Sequence, residues 1–255
     1  GAQKIIEGKS RYEFFTYTYV GVDQMTGNSL YKANLEDYCV KAADGTVIGN
    51  PKGNDITSKT VHIGDKYYVN NTTYAIKEFQ GSAIPKVYGS FTPSVRFRDL
   101  TLSAMFTYSL GGKIYDGVYA GLMATGTSAY NNHKDILNSW NGVPEGMTED
   151  SPNRIWYGGI PQVNSTTSSD NNGTSSRWIT SANYIVLKNI NMSYSLPKAW
   201  VNALTLESVR FNFACENAFT STKRRGLNPQ QGFSGFQYNY LVTPRVFTVG
   251  LDVKF

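Results

Sequence analysis

The feature that most restricts this chain is the alternation in its last eleven residues. Arg245, Phe247, Val249, Leu251, Val253 and Phe255 share one face, and Val246, Thr248, Gly250, Asp252 and Lys254 share the other. A period of two describes a β-strand whose sides meet unlike surroundings. In a water-soluble sandwich the apolar side would meet a core, and the chain would usually run on past it. Here the aromatic Phe255 closes the apolar row. A length of about ten residues suits a tilted strand crossing a bilayer, and an aromatic at its tip suits the interfacial girdle of such barrels. Taken alone, the segment also fits an ordinary amphipathic edge strand.

Composition narrows the choice. The 255 residues include 18 Tyr, 13 Phe and 24 Gly, yet only 40% are hydrophobic and 17% charged. Transmembrane barrels have this balance, because each strand offers only alternate residues to lipid while the lumen stays polar. No stretch approaches the roughly 18 uninterrupted apolar residues of a membrane helix, so any membrane residence is by strands. Cys39 and Cys215 are too few and too far apart to announce a disulfide framework. One bridge is compatible with an oxidising compartment, but two buried or lipid-facing free thiols are the favoured reading. His62 and His133 lack zinc-type spacing and are read as loop residues, so neither metal nor cofactor is expected. The net charge of +5 is spread out, and the basic run Lys223-Arg224-Arg225 reads as solvated loop rather than nucleic-acid patch. Gly1-Ala2-Gln3-Lys4 opens without the apolar core of a signal peptide, so the chain is expected to be a piece of a longer, exported protein.

Reading backward, further two-periodic runs appear. Leu204–Glu216 sets Val209, Phe211, Phe213 and Cys215 against Arg210, Asn212, Ala214 and Glu216. Asn183–Leu196 sets Ile190, Met192, Tyr194 and Leu196 against Asn189, Asn191, Ser193 and Ser195, while Ile185-Val186-Leu187-Lys188 breaks the pattern and predicts a bulge or register change. The clearest run is Asp99–Leu110; before it come Val87–Arg98, Asn28–Tyr38 and Ser10–Val20, making seven strands with the last. Their connections alternate in length. Gly21–Gly27, Arg98-Asp99 and Pro197–Ala203 are short, whereas Cys39–Lys86, Gly111–Ala182 and Asn217–Pro244 are long. Outer-membrane barrels sort their connections this way, with short turns toward the periplasm and long loops outside. Phe255 then marks the periplasmic end of a downward strand.

The long loops are polar. Asn164–Gly173 reads as solvated loop, with too few carboxylates for a calcium site. Asn131–Trp140 predicts a short helix with Ile136, Leu137 and Trp140 on one face, the Trp anchoring the loop on the barrel rim. Asn71-Thr72-Thr73 and similar triplets are chance occurrences in an Asn- and Thr-rich chain. No nucleophile elbow, phosphate loop or paired-carboxylate setting is visible, so no enzyme chemistry is expected.

At this point the sequence resembles a known family. GSAIPKVYGSFTPSVRFRDLTLSAMFTYSLGGKIYDG (Gly81–Gly117), HKDILNSW (His133–Trp140), YIVLKNINMSYSLPKAW (Tyr184–Trp200) and FACENAFTSTKRRGLNPQ (Phe213–Gln230) resemble the C-terminal region of SusC/RagA-type TonB-dependent transporters of Bacteroidetes. FFTYTYVGVDQMTGNSLY (Phe14–Tyr31) resembles the strand-turn-strand before it, and the matches recur in family order over nearly the whole chain. The departure is Ser151–Trp156, where relatives pass through a Thr-Pro-Glu-Asn-like stretch into a Pro-Arg segment.

The resemblance implies an all-β fold: an antiparallel transmembrane β-barrel of about 22 strands around an N-terminal plug. This chain would supply about seven C-terminal strands across residues 1–255, without the plug. It also implies an outer-membrane importer of oligosaccharides or peptides, lidded by a SusD-like surface lipoprotein and driven by TonB through the missing part. On that reading Asn189, Asn191, Arg210, Asn212, Glu216, Asp252 and Lys254 face the lumen, while Phe211, Phe213, Phe247, Val249 and Leu251 face lipid. Trp140, Trp156, Tyr157 and Trp178, in the largest loop, are candidate contacts for substrate or lid, since Trp and Tyr dominate interface anchors. Two rivals stay open: a small complete outer-membrane barrel with a structural or adhesive role, closed by an eighth strand in Lys66–Phe79, and a secreted carbohydrate-binding β-sandwich.

Overall fold

The computed structural model describes residues 1–124, 131–203, 205–224, 226–230, 232–238 and 243–255. They divide into two compact units, Ala83–Ile114 with Ser181–Phe255, and Gly1–Ser82 with Tyr115–Thr180.

The first unit is a wall. Strands Val87–Phe91, Ser94–Phe97, Leu100–Leu110, Tyr184–Ser195, Ser208–Thr222 and Val246–Lys254 form a six-stranded sheet. The first two pair with successive halves of Leu100–Leu110 and are parted at Thr92-Pro93. Proline has no N–H for the ladder, which accounts for the gap. Every pairing is antiparallel, and Phe97 opposes Leu100, so Arg98-Asp99 is a two-residue turn. Arg98 sits at φ 54, the positive value that primed hairpin turns demand.

Register carries the pattern across the wall. Phe97, Leu100, Tyr194, Phe211 and Leu251 form one row, and Val95, Leu102, Met192, Phe213 and Val249 the next. Between them on the opposite face run Arg96, Thr101, Ser193, Asn212 and Gly250, then Ser94, Ser103, Asn191, Ala214 and Thr248. The break foreseen at 185–188 is a register shift between Leu187 and Asn189 that leaves Lys188 unmatched. Beyond it Leu187 and Ile185 oppose Phe106 and Tyr108, so the bulge keeps the apolar face continuous. Tyr108 also lays its ring end over Gly89, where a Cβ would come within 2.9 Å of the hydroxyl.

Two boundaries differ from expectation. The strand predicted to stop at Glu216 continues to Thr222, passing Asn217 at φ 52, and its predicted first residue, Leu204, lies outside the described residues. The short connection Pro197–Ala203 contains a one-turn helix, Lys198–Ala203, with Pro197 accepting from the amides of Trp200 and Val201. Of the basic run, Arg225 lies outside the described residues.

The second unit corrects the two earliest runs. Ser10–Val20 and Asn28–Tyr38 are broken into Glu13–Tyr17, Tyr19–Asp23 and Ser29–Lys32. The last two are neighbours in a five-stranded sheet with Ile155–Trp156, Lys66–Val69 and Thr60–Ile63, while Glu13–Tyr17 pairs with Lys77–Ser82. Gly21–Gly27 is therefore a hairpin inside this unit and not a turn of the wall. The segment escapes a wall role because it is covered on both sides: Val22, Asp23, Ser29, Leu30 and Tyr31 are all buried. One face meets the cluster of Tyr31, Val40, Ile56 and Val69, and the other meets Leu30, Tyr68 and Ile155. Alternation alone reports that two faces differ, and cannot report that both are dry.

Other loop expectations change similarly. Asn164–Gly173 is only partly solvated: its second half folds into the short helix Ser168–Asn171, and Asn171 is 1% exposed. The helix expected in Asn131–Trp140 is a 3-10 turn, Lys134–Asn138, with Leu137 facing solvent. His62 lies on a strand stacked on Tyr67, and His133 caps the 3-10 turn by accepting from the Asp135 amide. Asn71 caps Thr72–Tyr74, a structural use for that triplet. Both cysteines are buried and free.

Candidate functional site

The wall's polar face gathers every residue expected to line a lumen. Asn189 opposes Glu216, Asn191 opposes Ala214, and Arg210 stands between Ser195 and Asp252. Asn212 Nδ2 donates to Asp252 Oδ2 at 2.6 Å, Arg210 Nε to Ser195 Oγ at 3.4 Å, and Lys254 pairs with Glu207. A depression of about 440 Å³ opens on this face beside Thr101, Ser103, Asn191, Ser193, Asn212 and Thr248. These are short hydroxyl and amide side chains, which hold water and offer both donors and acceptors.

The opposite face is apolar and uncovered. Phe247, Val249 and Leu251 are 63%, 79% and 57% exposed, and Val95, Phe97, Leu102, Met192, Phe211 and Phe219 are exposed with them. Large contiguous apolar surface of this kind is not left in water by a stable soluble domain. A carbohydrate-binding sandwich would bury it under a second sheet. Among the described residues none covers Val246–Lys254 on its far edge, and that strand does not pair with Val87–Phe97, so the wall does not close as a small barrel. Lys66–Phe79, the candidate closing strand of that rival, instead supplies Lys66–Val69 and the start of Lys77–Ser82 to the other unit.

The four loop aromatics separate by position. Trp178 is 1% exposed, its Nε1 donating to the Gly173 carbonyl at 3.1 Å and its ring under the Arg177 guanidinium at 4.3 Å. It is a core side chain and is out of reach of a surface ligand. Trp140 donates from Nε1 to the Gln24 carbonyl at 3.0 Å and covers Gly27, where a Cβ would lie 2.3 Å from its ring. It anchors its loop, though on the Tyr19–Lys32 hairpin rather than on a barrel rim. Trp156 packs on Gly159 and remains partly exposed, and Tyr157 is 71% exposed.

Tyr157 borders a cleft of about 820 Å³ within this unit. Val20, Leu35, Ile48 and Ile76 line it with apolar surface, Tyr67 and Tyr68 add rings, and Lys32, Glu36, Asp65, Lys66 and Glu78 bring both charges. Lys32 Nζ meets Glu78 Oε1 at 2.6 Å, and Thr18 Oγ1 donates to Glu78 Oε2 at 2.6 Å. Those two bonds, Lys32 first, hold the Glu78 carboxyl below its ordinary range. Burial, and then the nearby Tyr157 phenol, push the Tyr68 hydroxyl up. Sequence reading missed this cleft. Its available signal was the Ile63-Gly64-Asp65-Lys66 turn, with Gly64 at φ 59, which marks a hairpin that presents Tyr67 and Tyr68.

The hairpin carrying this region is clamped by a buried ion pair. Arg154 Nε and Nη2 donate to the two Asp23 carboxylate oxygens at 2.9 and 3.2 Å, with side chains 9% and 1% exposed. Asp23 also accepts from the Met25 amide and Thr26 hydroxyl, which closes the turn. The stretch Ser151–Trp156, expected to depart from the SusC/RagA pattern, thus supplies Arg154 to the clamp and Ile155–Trp156 to a pairing with the hairpin's first strand. Asn171 supports the second strand: its Oδ1 accepts from the Ser29 amide at 2.8 Å and its carbonyl from Ser29 Oγ at 3.0 Å. No cluster of three potential metal ligands occurs among the described residues.

Comparison with known proteins now adds to this geometry. No protein-family profile matches the chain. A TonB-dependent receptor P3 of Formosa agariphila is 25% identical over 192 residues, covering 71% of this chain and 17% of the receptor. Among solved structures, the RagAB peptide transporter superposes with a TM-score of 0.62 at 20% identity, over 95% of this chain and 23% of that one. The 'open-open' state of the RagAB peptide importer gives 0.60 at 17% identity, over 99% and 25%. The chain thus spans under a fifth of the curated relative's length and about a quarter of the solved chains. The solved structures establish the fold, an antiparallel stretch of a RagA-type barrel, and the curated relative extends the likeness to a TonB-dependent receptor. The resemblance to SusC/RagA-type transporters is borne out on both counts, and these relatives are a receptor and transporters rather than enzymes.

Proposed function

We propose that this chain forms the C-terminal side of the barrel of a SusC/RagA-type, TonB-dependent importer in the outer membrane. The rest of the polypeptide would supply the plug, the TonB contact and the remaining strands of a barrel of about 22. A SusD-like surface lipoprotein would close over it, and the cargo would be a peptide or an oligosaccharide. The solved relatives are a peptide transporter, which supports peptides as the first class to test.

The observation that carries this reading is the pair of faces on one register: exposed Phe247, Val249 and Leu251 on one side, hydrogen-bonded Asn212 and Asp252 on the other. Lipid suits the first and a wet lumen the second. Asn189, Asn191, Arg210, Asn212, Glu216, Asp252 and Lys254 would then hydrate the passage and exchange hydrogen bonds with passing cargo. In the other unit, Tyr157 and Trp156 are the exposed aromatics for cargo or lid, while Trp140 and Trp178 hold the scaffold. To test the function, the full-length transporter is tagged in its own host. A surface lipoprotein should copurify, and uptake of labelled oligopeptides should fall to background when TonB is deleted. TonB-independent uptake, or purification without a lipoprotein, would contradict the importer reading.

A further inference from the structure

Down most of its length the wall's polar face carries Thr, Ser and Asn, but at the end farthest from Phe255 its character changes. There Tyr88 opposes Ser109, and Ser109 opposes Tyr184, which brings two phenol rings onto the face that elsewhere holds Thr101, Ser103, Asn191 and Ser193. These rings border a cavity of about 470 Å³ with Phe233, Lys113 and Gln230 also in its lining, and Ile114, 0% exposed, at its floor. Tyr88 and Phe233 are 77% and 78% exposed, so the rings are presented to whatever enters. Among the described residues the lining contains one cation and no carboxylate. Lys113 has no ion-pair partner among the described residues.

From this the structure assigns a ligand subsite at the outer mouth of the wall, for a group that joins a ring or apolar body to a carboxylate. The rings would stack on or pack against the body, and Lys113 would take the carboxylate in a charge-assisted hydrogen bond. Two sources share that chemistry: the C-terminal aromatic residue of a short peptide, and a uronic acid of an oligosaccharide. The assignment rests on the reading of this face as the lumen, and it places the contact on the wall.

The test uses the full-length transporter in detergent and saturation-transfer NMR with four probes: N-acetyl-phenylalanine, its amide, methyl glucuronide and methyl glucoside. One acid should bind about 10-fold more tightly than its uncharged partner, and which acid does so names the source. Lys113→Gln should erase the difference between acid and uncharged form, and Lys113→Arg should restore it. Tyr184→Ala should weaken both members of the pair. An acid preference that survives Lys113→Gln, or no binding of either acid, overturns the subsite. Lys113 is exposed, so its replacement leaves folding intact. A Ser193→Cys variant in membranes, treated with a charged thiol reagent, keeps the two failures apart. Labelling without probe binding rejects the subsite alone, whereas no labelling rejects the lumen assignment beneath it.

Discussion

The wall and the loop unit are both made of strands with alternating sequences, yet they spend that alternation differently. In the wall, Phe247 and Val249 stay exposed while Asn212 and Asp252 bond to each other on the other face. In the loop unit, Tyr31 and Leu30 point to opposite sides of one strand and both are buried. The first arrangement suits a sheet whose two sides meet different solvents, as the proposed barrel wall would. The second is a core built from both sides, held by specific polar clamps.

Breaking the clamp should have the largest effect. Arg154→Met leaves the Asp23 carboxylate buried without its cation, a loss of about 3 to 5 kcal/mol. It should open the Tyr19–Lys32 hairpin to protease while leaving the wall folded, read by the cleavage pattern of the assembled barrel. Next comes the face proposed to meet lipid. Val249→Arg should cost about 2 to 4 kcal/mol if it lies near the bilayer midplane, whereas the adjacent Thr248→Arg should cost far less. Urea titration of folding into lipid vesicles compares the two. Equal costs would erase the distinction between the faces.

Smaller effects sharpen the loop unit. Asn171→Ala strips the Ser29 amide of its acceptor in a buried place, worth about 1 to 3 kcal/mol, and amide exchange at Ser29 should speed accordingly. The least is a pH effect. The Thr57 hydroxyl and amide, with Lys41, hold the exposed Asp55 carboxyl at about 2, against 3.8 ordinarily. A depressed carboxyl lends its support fully above 3.8 and loses it as pH falls toward about 2, so protection of the Thr57 amide should fade over that window. Asp55→Asn should flatten the response.

The sequence made the wall legible because its period of two survives register: Leu100, Tyr194, Phe211 and Leu251 had to align for either face to be uniform, and they do. Even the bulge at Lys188 was visible as a broken pattern. The loop unit was illegible for a physical reason. What holds it are long-range polar bonds, Asp23 to Arg154 and Ser29 to Asn171, between segments with no periodic relation. Trp178 looked like a surface anchor because loops rich in Ser and Asn look wet, and nothing local revealed that Arg177 and Tyr119 pack around it. Tyr67 and Tyr68 lay in a run too short to show which way either would face.

The two-faced wall is tested most directly by a single-cysteine scan from Val246 to Lys254 in a cysteine-free form of the full-length protein, reacted in native membranes with a charged thiol reagent. Positions 246, 248, 250, 252 and 254 should label, and 247, 249, 251 and 253 should stay protected in the lipid. Uniform labelling, or the opposite phase, would contradict a wall set between lipid and lumen.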